Sequence, residues 1–246
     1  MAGHSKWHNI QARKNKVDSK RSKIFTKLIK EISVAAKISG ANIEGNSRLR
    51  DVIEKAQQNN VPRDTIERAI KKGSGELMGN NYETLIYEGY GPFGVAVIVK
   101  TLTDNKNRTA GNLRFLFSKN SGNLGSSGCV KYMFNEIGEI VVDISQNISE
   151  DEIMEIAFEH GAYDFQTHER DGVYVIKSNV ENFRKIKQEL EAEDIDFLEA
   201  EIRLQSDNYI MLNNDEEIEK FEKFIDMLEE DDDVQEVYHN AEYYEK

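Results

Sequence analysis

The sequence predicts an α+β fold: an N-terminal three-helix domain followed by two ferredoxin-like α/β domains, one inserted in the other. Three observations predict it. Apolar residues recur at helical spacing between Ser22 and Lys72, β-rich runs then flank a glycine-rich turn at Gly89 to Gly94, and residues 137–205 read strand, helix, strand, strand, helix, strand.

Residues 1 to about 20 lack a clean apolar period and read as an extended or partly helical arm. From Ser22 an apolar stripe runs through Ile24, Leu28, Ile32, Ala35 and Ile38 and stops at Ser39-Gly40, with Lys23, Lys27, Lys30 and Lys37 off the stripe and facing solvent or a ligand. A second helix starts from Asn46 or Ser47 as cap and frays at Asn59-Asn60. Pro62 stands where a helix start tolerates it, and Asp64 to Lys72 forms a third helix. These helices complete a basic domain over residues 1–75.

The central domain is expected from residues 76–135 plus 206–246. Its strands are Tyr82 to Tyr90, Val95 to Thr101 and Val130 to Phe134, with a helix from Arg108 to Lys119. The tail adds a strand at Tyr209 to Leu212, a helix at Glu216 to Leu228 and a strand at Val234 to His239. Alone it is too small to bury a core, so it is assigned to the same sandwich. The insertion, residues 136–205, has strands Glu139 to Ile144, Asp164 to Glu169, Gly172 to Ser178 and Phe197 to Leu204. Helices Ser149 to His160 and Val180 to Glu193 alternate with them, with a capping box at Ser149 to Glu152 and a turn at Arg170-Asp171-Gly172.

Charge is distributed unevenly. The 246 residues carry a net −13, yet residues 1–30 hold nine Lys/Arg against the single acid Asp18. Residues 1–75 hold 17 bases and 7 acids, which leaves 15 bases and 38 acids for the remainder. Such asymmetry concentrates a positive field at one end and points to a polyanion as partner. Trp7, the single tryptophan, lies in the basic stretch beside His4 and His8, where an indole can stack on a base or anchor the arm.

Several function classes are excluded or disfavoured. No run approaches the ~20 apolar residues of a membrane span, and no apolar run follows the basic N-terminus, so neither membrane insertion nor a signal peptide is expected. The lone Cys129 suits a reducing, cytoplasmic setting and reads as a buried structural thiol at the start of a strand. Gly89-Tyr-Gly91-Pro-Phe-Gly94 fits G-x-G-x-x-G but joins two strands, so it reads as a hairpin turn and not a dinucleotide loop. A kinase is excluded because neither H-R-D nor D-F-G occurs. His4 and His8 lack a third ligand for zinc, His160 suits a helix C-terminus, and the run Glu229 to Asp233 lacks a calcium loop's spacing and reads as a solvated turn. No catalytic constellation is present, so a non-enzyme without cofactor, metal or small-molecule substrate is expected, and a monomer.

A helix-turn-helix is suggested by the tight Val61-Pro62 connection. The third helix offers Arg63, Arg68, Lys71 and Lys72 but few amide or hydroxyl side chains for base edges, so phosphate-backbone contact is the better reading. The expected nucleic-acid contacts are Lys6, Trp7, His8, Arg13, Lys14, Lys16, Lys20, Arg21, Lys23 and Lys27 in the first stretch, with Arg63, Lys71 and Lys72. Asp104 to Asn107 reads as a helix cap and Ser118 to Gly125 as a glycine-rich stop. Lys106, Arg108 and Lys119 beside them form a secondary contact set.

The segments MAGHSKWHNIQARKNKVDSKRSKIFTKLIKEI, NVPRDTIERAIKKGSG and YEGYGPFGVAVIVKTLTDNKNRTAGNLRFLFSKNSGNLGSSGCVKYMF, with the acidic tail, resemble the YebC/PmpR family over essentially the whole chain. That family includes the mitochondrial translational activator of cytochrome oxidase subunit I. The chain departs from the family pattern at Phe93, where glycine is usual, and at Cys129, where serine is common. The resemblance implies the same three domains and a cytoplasmic, non-enzymatic regulator of gene expression. Members are assigned as DNA-binding transcriptional regulators, and others act on the ribosome, helping translation through stretches such as consecutive prolines. DNA and structured RNA both stand as expected targets. The family's usual assignment leans to DNA, with a DNA-binding transcriptional regulator the first reading. The lack of a groove-reading helix leans to RNA, with a ribosome-associated translation factor that binds rRNA or tRNA the alternative.

Overall fold

The computed structural model describes residues 17–79, 81–146 and 148–243, and of residues 17–22 the backbone only. The chain forms two compact units, one of residues 17–131 with Leu212–His239, the other of Tyr132–Met211 with residues 240–243.

In the first unit, helix α1 (Val17–Ser39) begins five residues before the expected stripe, so part of what the sequence suggests as an arm is helical. The middle of the stripe is core. Leu28, Ile32, Ala35 and Ala36 pack with Leu49, Val52, Ile53 and Ala56 of α2 (Ser47–Gln58) and with Ile66 and Ala69 of α3 (Arg63–Ser74). Ile24 and Ile38, at the ends of the same stripe, are exposed. Helix length explains this: 12 residues reach ~18 Å and 23 residues ~35 Å, so α2 and α3 cannot cover α1 from end to end. The buried Asn46 fixes the α1–α2 corner. Its amide donates to Ala35 O (2.9 Å) and Gly40 O (2.8 Å), while its Oδ1 accepts Leu49 N–H (3.0 Å) as the N-cap. Helices α1 and α3 touch backbone to backbone at Gly73, where a Cβ would lie 2.2 Å from Ser33 O.

The central sheet has the order β3-β1-β2-β9, all neighbours antiparallel: β1 (Glu83–Tyr90), β2 (Ala96–Thr103), β3 (Asn123–Leu124) and β9 (Val234–His239). Strand β2 is buried on both faces, apart from the half-buried Lys100, and accordingly opens with four apolar residues in a row, Ala96 to Val99. Helices α4 (Lys106–Lys119) and α7 (Asp215–Glu229) supply the buried Leu113, Phe117, Phe221, Phe224 and Leu228. Phe117 and Phe224 meet edge to face with ring centroids 5.0 Å apart. Gly91 to Val95 forms the β1–β2 turn, closed by Gly91 N–H to Val95 O (2.8 Å), and Phe93 occupies it with φ +61°.

Two local expectations need correction here. Val130 to Met133 is not a strand: Lys131–Met133 is a 3-10 turn, and Phe134 belongs to the strand that follows. The reason is the buried Glu88, whose carboxylate accepts the N–H groups of Gly128 (2.7 Å), Val130 (3.0 Å) and Lys131 (2.8 Å) and so withdraws them from any ladder. Cys129 therefore sits in this turn, half-buried. The glycine-rich stop after α4 contains β3, which pairs with Gly89 and Tyr90.

In the second unit, β4 (Phe134–Asp143), α5 (Glu150–Glu159), β5 (Ala162–His168), β6 (Val173–Ser178), α6 (Val180–Ala192) and β7 (Phe197–Ser206) form an antiparallel sheet of order β5-β6-β4-β7, the split βαβ arrangement. Strand β4 starts earlier than expected because it pairs with β7 from Phe134↔Ser206 to Val142↔Phe197. The Ser149/Glu152 capping box opens α5, and Ile140, Ile153, Ile176, Ile186 and Leu190 form the core. Strand β8 (Ile210–Leu212) does not enter the central sheet; it pairs with β10 (Ala241–Tyr243).

Helix α1 is fastened to the central sheet by polar groups that converge on Asp233, 3% exposed. Its carboxylate accepts Arg108 Nη2 (2.7 Å), Thr109 Oγ1 (2.8 Å), Thr103 Oγ1 (3.2 Å) and Lys30 Nζ (3.2 Å), and its carbonyl accepts Leu102 N–H (2.7 Å). Burial by itself would raise the carboxyl pKa, but the hydrogen bonds from Arg108, Thr109 and Lys30 outweigh it and hold the group below the ordinary aspartate value. A depressed folded-state pKa contributes stability that is present above the unfolded value and lost as pH falls through the folded one. Asp233→Asn is therefore expected to destabilise the chain by on the order of 3 kcal/mol at pH 7. The gap to the parent should close as pH drops through the acid range, as read by urea midpoints at a series of pH values. At the β1–β2 turn, Phe93→Gly removes a side chain from the left-handed region and should raise stability by about 0.5–1 kcal/mol in the same assay.

Candidate nucleic-acid interface

The expected basic contacts whose side chains the structure describes fall into three groups, and their surroundings differ. Lys23, Lys27 and Lys30 stand at i, i+4 and i+7 on α1, a stripe beside the apolar one. They are half-buried and not fully turned to solvent. Lys23 Nζ donates to Glu230 O (2.8 Å), Lys27 Nζ to Glu229 O (3.0 Å) and Lys30 Nζ to Asp232 O (2.7 Å). Those carbonyls end α7 and the turn after it, where the helix leaves acceptors without intrahelical partners and its dipole is negative. Burial pulls the Lys27 ammonium below the usual lysine range, Glu229 opposing that and Lys23 adding to it. The acidic run Glu229 to Asp233 is a turn with Glu230 and Asp232 exposed, as expected, and its backbone is also a seat for lysines.

The second group lies on α3. Arg63, Arg68, Lys71 and Lys72 are exposed. Arg63 pairs only loosely with Glu67 one turn on (3.1 Å), both groups being open to water. The outward side of this helix presents cations and the acids Asp64 and Glu67, with no amide side chain that would read a base edge. Lys72 also lines a shallow cavity of about 180 Å³ between α1, the end of α3 and the segment before β1. Lys30, Lys37, Ser33 and Tyr82 share its wall, with Lys30 Nζ 5.5 Å from the Tyr82 ring centroid. Lys37 Nζ donates to Asn81 Oδ1.

The third group belongs to α4. Asn105 caps this helix, its Oδ1 accepting Arg108 N–H (3.1 Å), as the sequence suggests. Arg108 reaches into the ionic cluster, bonding Asp233 (2.7 Å) and Asp104 (3.0 Å), whose hydrogen bonds raise its pKa, while about half of its side chain stays exposed. Lys106 and Lys119 are exposed. Lys119 Nζ lies 5.7 Å from the ring centroid of Phe115, itself 61% exposed. Phe115 was not among the residues the sequence singled out. Its signal was present nonetheless, in its place off the stripe of Thr109, Leu113 and Phe117 that α4 buries.

Of the other expected contacts, Lys6, Trp7, His8, Arg13, Lys14 and Lys16 lie outside the described residues, and Lys20 and Arg21 are placed on α1 by backbone alone. Among the described residues, no group of three or more His, Cys, Asp or Glu is arranged to hold a metal ion, and no helix is long and apolar enough to cross a membrane.

Comparison with known proteins joins these features to a family. The TACO1/YebC N-terminal domain model matches residues 5–76, and the model of the TACO1/YebC second and third domain matches residues 82–241. The chain is 55% identical over 243 residues to a probable transcriptional regulatory protein, ORF2U, of Hathewaya histolytica, covering 99% of this chain and 98% of that one. It is 56% identical, with the same coverage, to a probable transcriptional regulatory protein of Clostridium botulinum strain Okra. The crystal structure of a conserved hypothetical protein, Aq1575, of Aquifex aeolicus superposes with a TM-score of 0.83 at 45% identity, covering 93% of each chain. The α/β insertion, the sheet completed by the tail and the basic helical N-terminus are thus the architecture of a known group, and the chain belongs to the TACO1/YebC family.

Proposed function

We propose that this protein is a nucleic-acid-binding regulator of gene expression, without catalytic activity, of the kind named in its relatives as transcriptional regulators. The observation that carries the reading is the charge distribution: 17 bases against 7 acids in residues 1–75, within a chain of net −13. Residues 1–75 act as the binding domain. The arm and the exposed cations of α3 neutralise phosphates, while the acidic remainder keeps the molecule soluble and away from other polyanions. Cytoplasmic action as a monomer fits this role.

A second reading, a ribosome-associated translation factor that relieves stalling at proline-rich stretches, is favoured by one specific feature. The outward side of α3 holds charges and no base-reading amides, which suits structured RNA recognised by shape and backbone. Lys23 and Lys27 each give one of three ammonium donors to a carbonyl at the end of α7, so the exposed cations of α3 are the more open to either partner.

The test is co-sedimentation with ribosomes and with duplex DNA at physiological salt, using the full chain, a version lacking residues 1–16, and Arg63→Glu/Lys71→Glu/Lys72→Glu. Arm-dependent binding to DNA alone supports the transcriptional reading, and to ribosomes alone the translational one. Each lost phosphate contact should lower affinity and flatten the dependence of log K on log salt by about 1. Unchanged binding by both variants would sink the assignment of this domain.

A further inference from the structure

We infer that the C-terminal half of α4 is a second contact surface, one that takes an unpaired nucleotide of a single strand by stacking its base on Phe115 and holding the adjoining phosphates with Arg114 and Lys119. This rests on the reading that the protein binds nucleic acid and goes beyond it in place and in ligand class.

Four observations carry it. First, residues 105–135 contain five Lys/Arg (Lys106, Arg108, Arg114, Lys119, Lys131) and no Asp or Glu, although residues 76–246 as a whole hold 15 bases and 38 acids. An acid-free run of 31 residues inside the acidic part of the chain is a reversal of charge along the sequence, and a polyanion is the complementary partner. Second, Phe115 is 61% exposed on a helix that already buries Thr109, Leu113 and Phe117 on its other side, so it is surplus to the core. Third, Lys119 Nζ lies 5.7 Å from the Phe115 ring centroid, within cation–π reach, and Arg114, the residue beside Phe115, is exposed. An aromatic face attended by cations is how sequence-tolerant single-strand binders hold successive nucleotides. Fourth, Gly111, one turn before Phe115, leaves open space where a Cβ would stand, so nothing on that turn crowds an incoming base.

The position of the acids agrees. The acidic turn reaches α4 through Arg108, held by Asp233, and through Asn112, whose amide donates to Asp231 (3.1 Å). Residues 114–119 carry no acid. The neighbouring loop is braced from beneath by Glu88, which fixes the backbone of Gly128 to Lys131 and so places the exposed Lys131. Stacking is indifferent to the sugar, so RNA and DNA single strands both present the required chemistry. A paired base does not, because both its faces are already covered.

The experiment uses the full chain, three 12-nucleotide probes (single-stranded RNA, single-stranded DNA of the same sequence, and the DNA duplex) with 2-aminopurine in the strand, and the variants Phe115→Ala, Phe115→Trp and Arg114→Glu/Lys119→Glu. Phe115→Ala should weaken single-strand binding about tenfold and abolish the fluorescence change that reports stacking, leaving duplex binding within about twofold. Phe115→Trp should restore both, which a merely structural role would not require, and Arg114→Glu/Lys119→Glu should weaken binding while keeping the residual stacking signal. The RNA and DNA arms then say which strand is held more tightly. If the parent binds single strands and Phe115→Ala binds them equally well, this inference falls while the proposed function stands. If the parent binds none of the probes and no ribosomes, both fall together.

Discussion

The placement of α1 depends on a set of directional polar contacts at the end of α7. Helix α1 carries two stripes of one period, an apolar one that builds the three-helix core and a lysine one, Lys23, Lys27 and Lys30, that meets the terminal carbonyls after α7. A helix end lacks hydrogen-bond partners for its last carbonyls and concentrates negative potential there, so three ammonium groups answer both needs at once. Asp233 extends the same contact into the sheet: it takes Lys30 and Arg108 on its carboxylate and Leu102 N–H on its carbonyl, one residue before β9 begins. An apolar contact tolerates sliding, whereas these bonds weaken steeply with angle and distance. They therefore set the register of α1 on the central sheet.

That arrangement changes how the charge of the chain is to be counted. The nine bases of residues 1–30 read as one basic face when taken from the sequence, yet Lys23, Lys27 and Lys30 each direct a hydrogen bond to a backbone carbonyl of the acidic turn, and Lys30 forms an ion pair with Asp233. The cations most open to a partner are the exposed ones on α3, where even the Arg63–Glu67 pair stands in water. Conversely, not all of the acid excess in the remainder serves solubility. Asp233 is structural, Glu229 bears on the Lys27 titration, and Glu88 organises a turn through three backbone N–H groups.

Periodicity made most of this fold legible. The helical stripe, the Asn46 cap, the Ser149 capping box and the βαββαβ rhythm are each local, and each stands where the pattern put it, because local hydrogen bonds and burial act on the same residues. What escaped was set by residues far apart in sequence. Nothing near Val130 announces that Glu88, some forty positions earlier, consumes the N–H groups a strand would need. The helical spacing of Lys23, Lys27 and Lys30 was visible, but not that their acceptors lie about two hundred residues on. The sequence likewise does not show that Arg108 bonds Asp233, 125 residues away. At the candidate site, a basic face was legible and its division into committed and exposed cations was not, since the division is made by the tail.

The two basic surfaces that remain differ in physical kind, and the difference bears on what each can recognise. The outward side of α3 offers charge without an aromatic ring, so its attraction to nucleic acid arises from counterion release and fades as salt rises. The C-terminal half of α4 offers a ring as well as charge, and stacking, being a desolvation and dispersion effect, is screened far less by salt. A partner that is duplex throughout engages the first kind only. A partner with phosphates in a helical frame and bases turned out of it engages both, and structured RNA, with its loops and bulges, is the nucleic acid that most regularly presents the two together. The chemistry of the surfaces, more than the total charge, is thus what distinguishes the candidate targets.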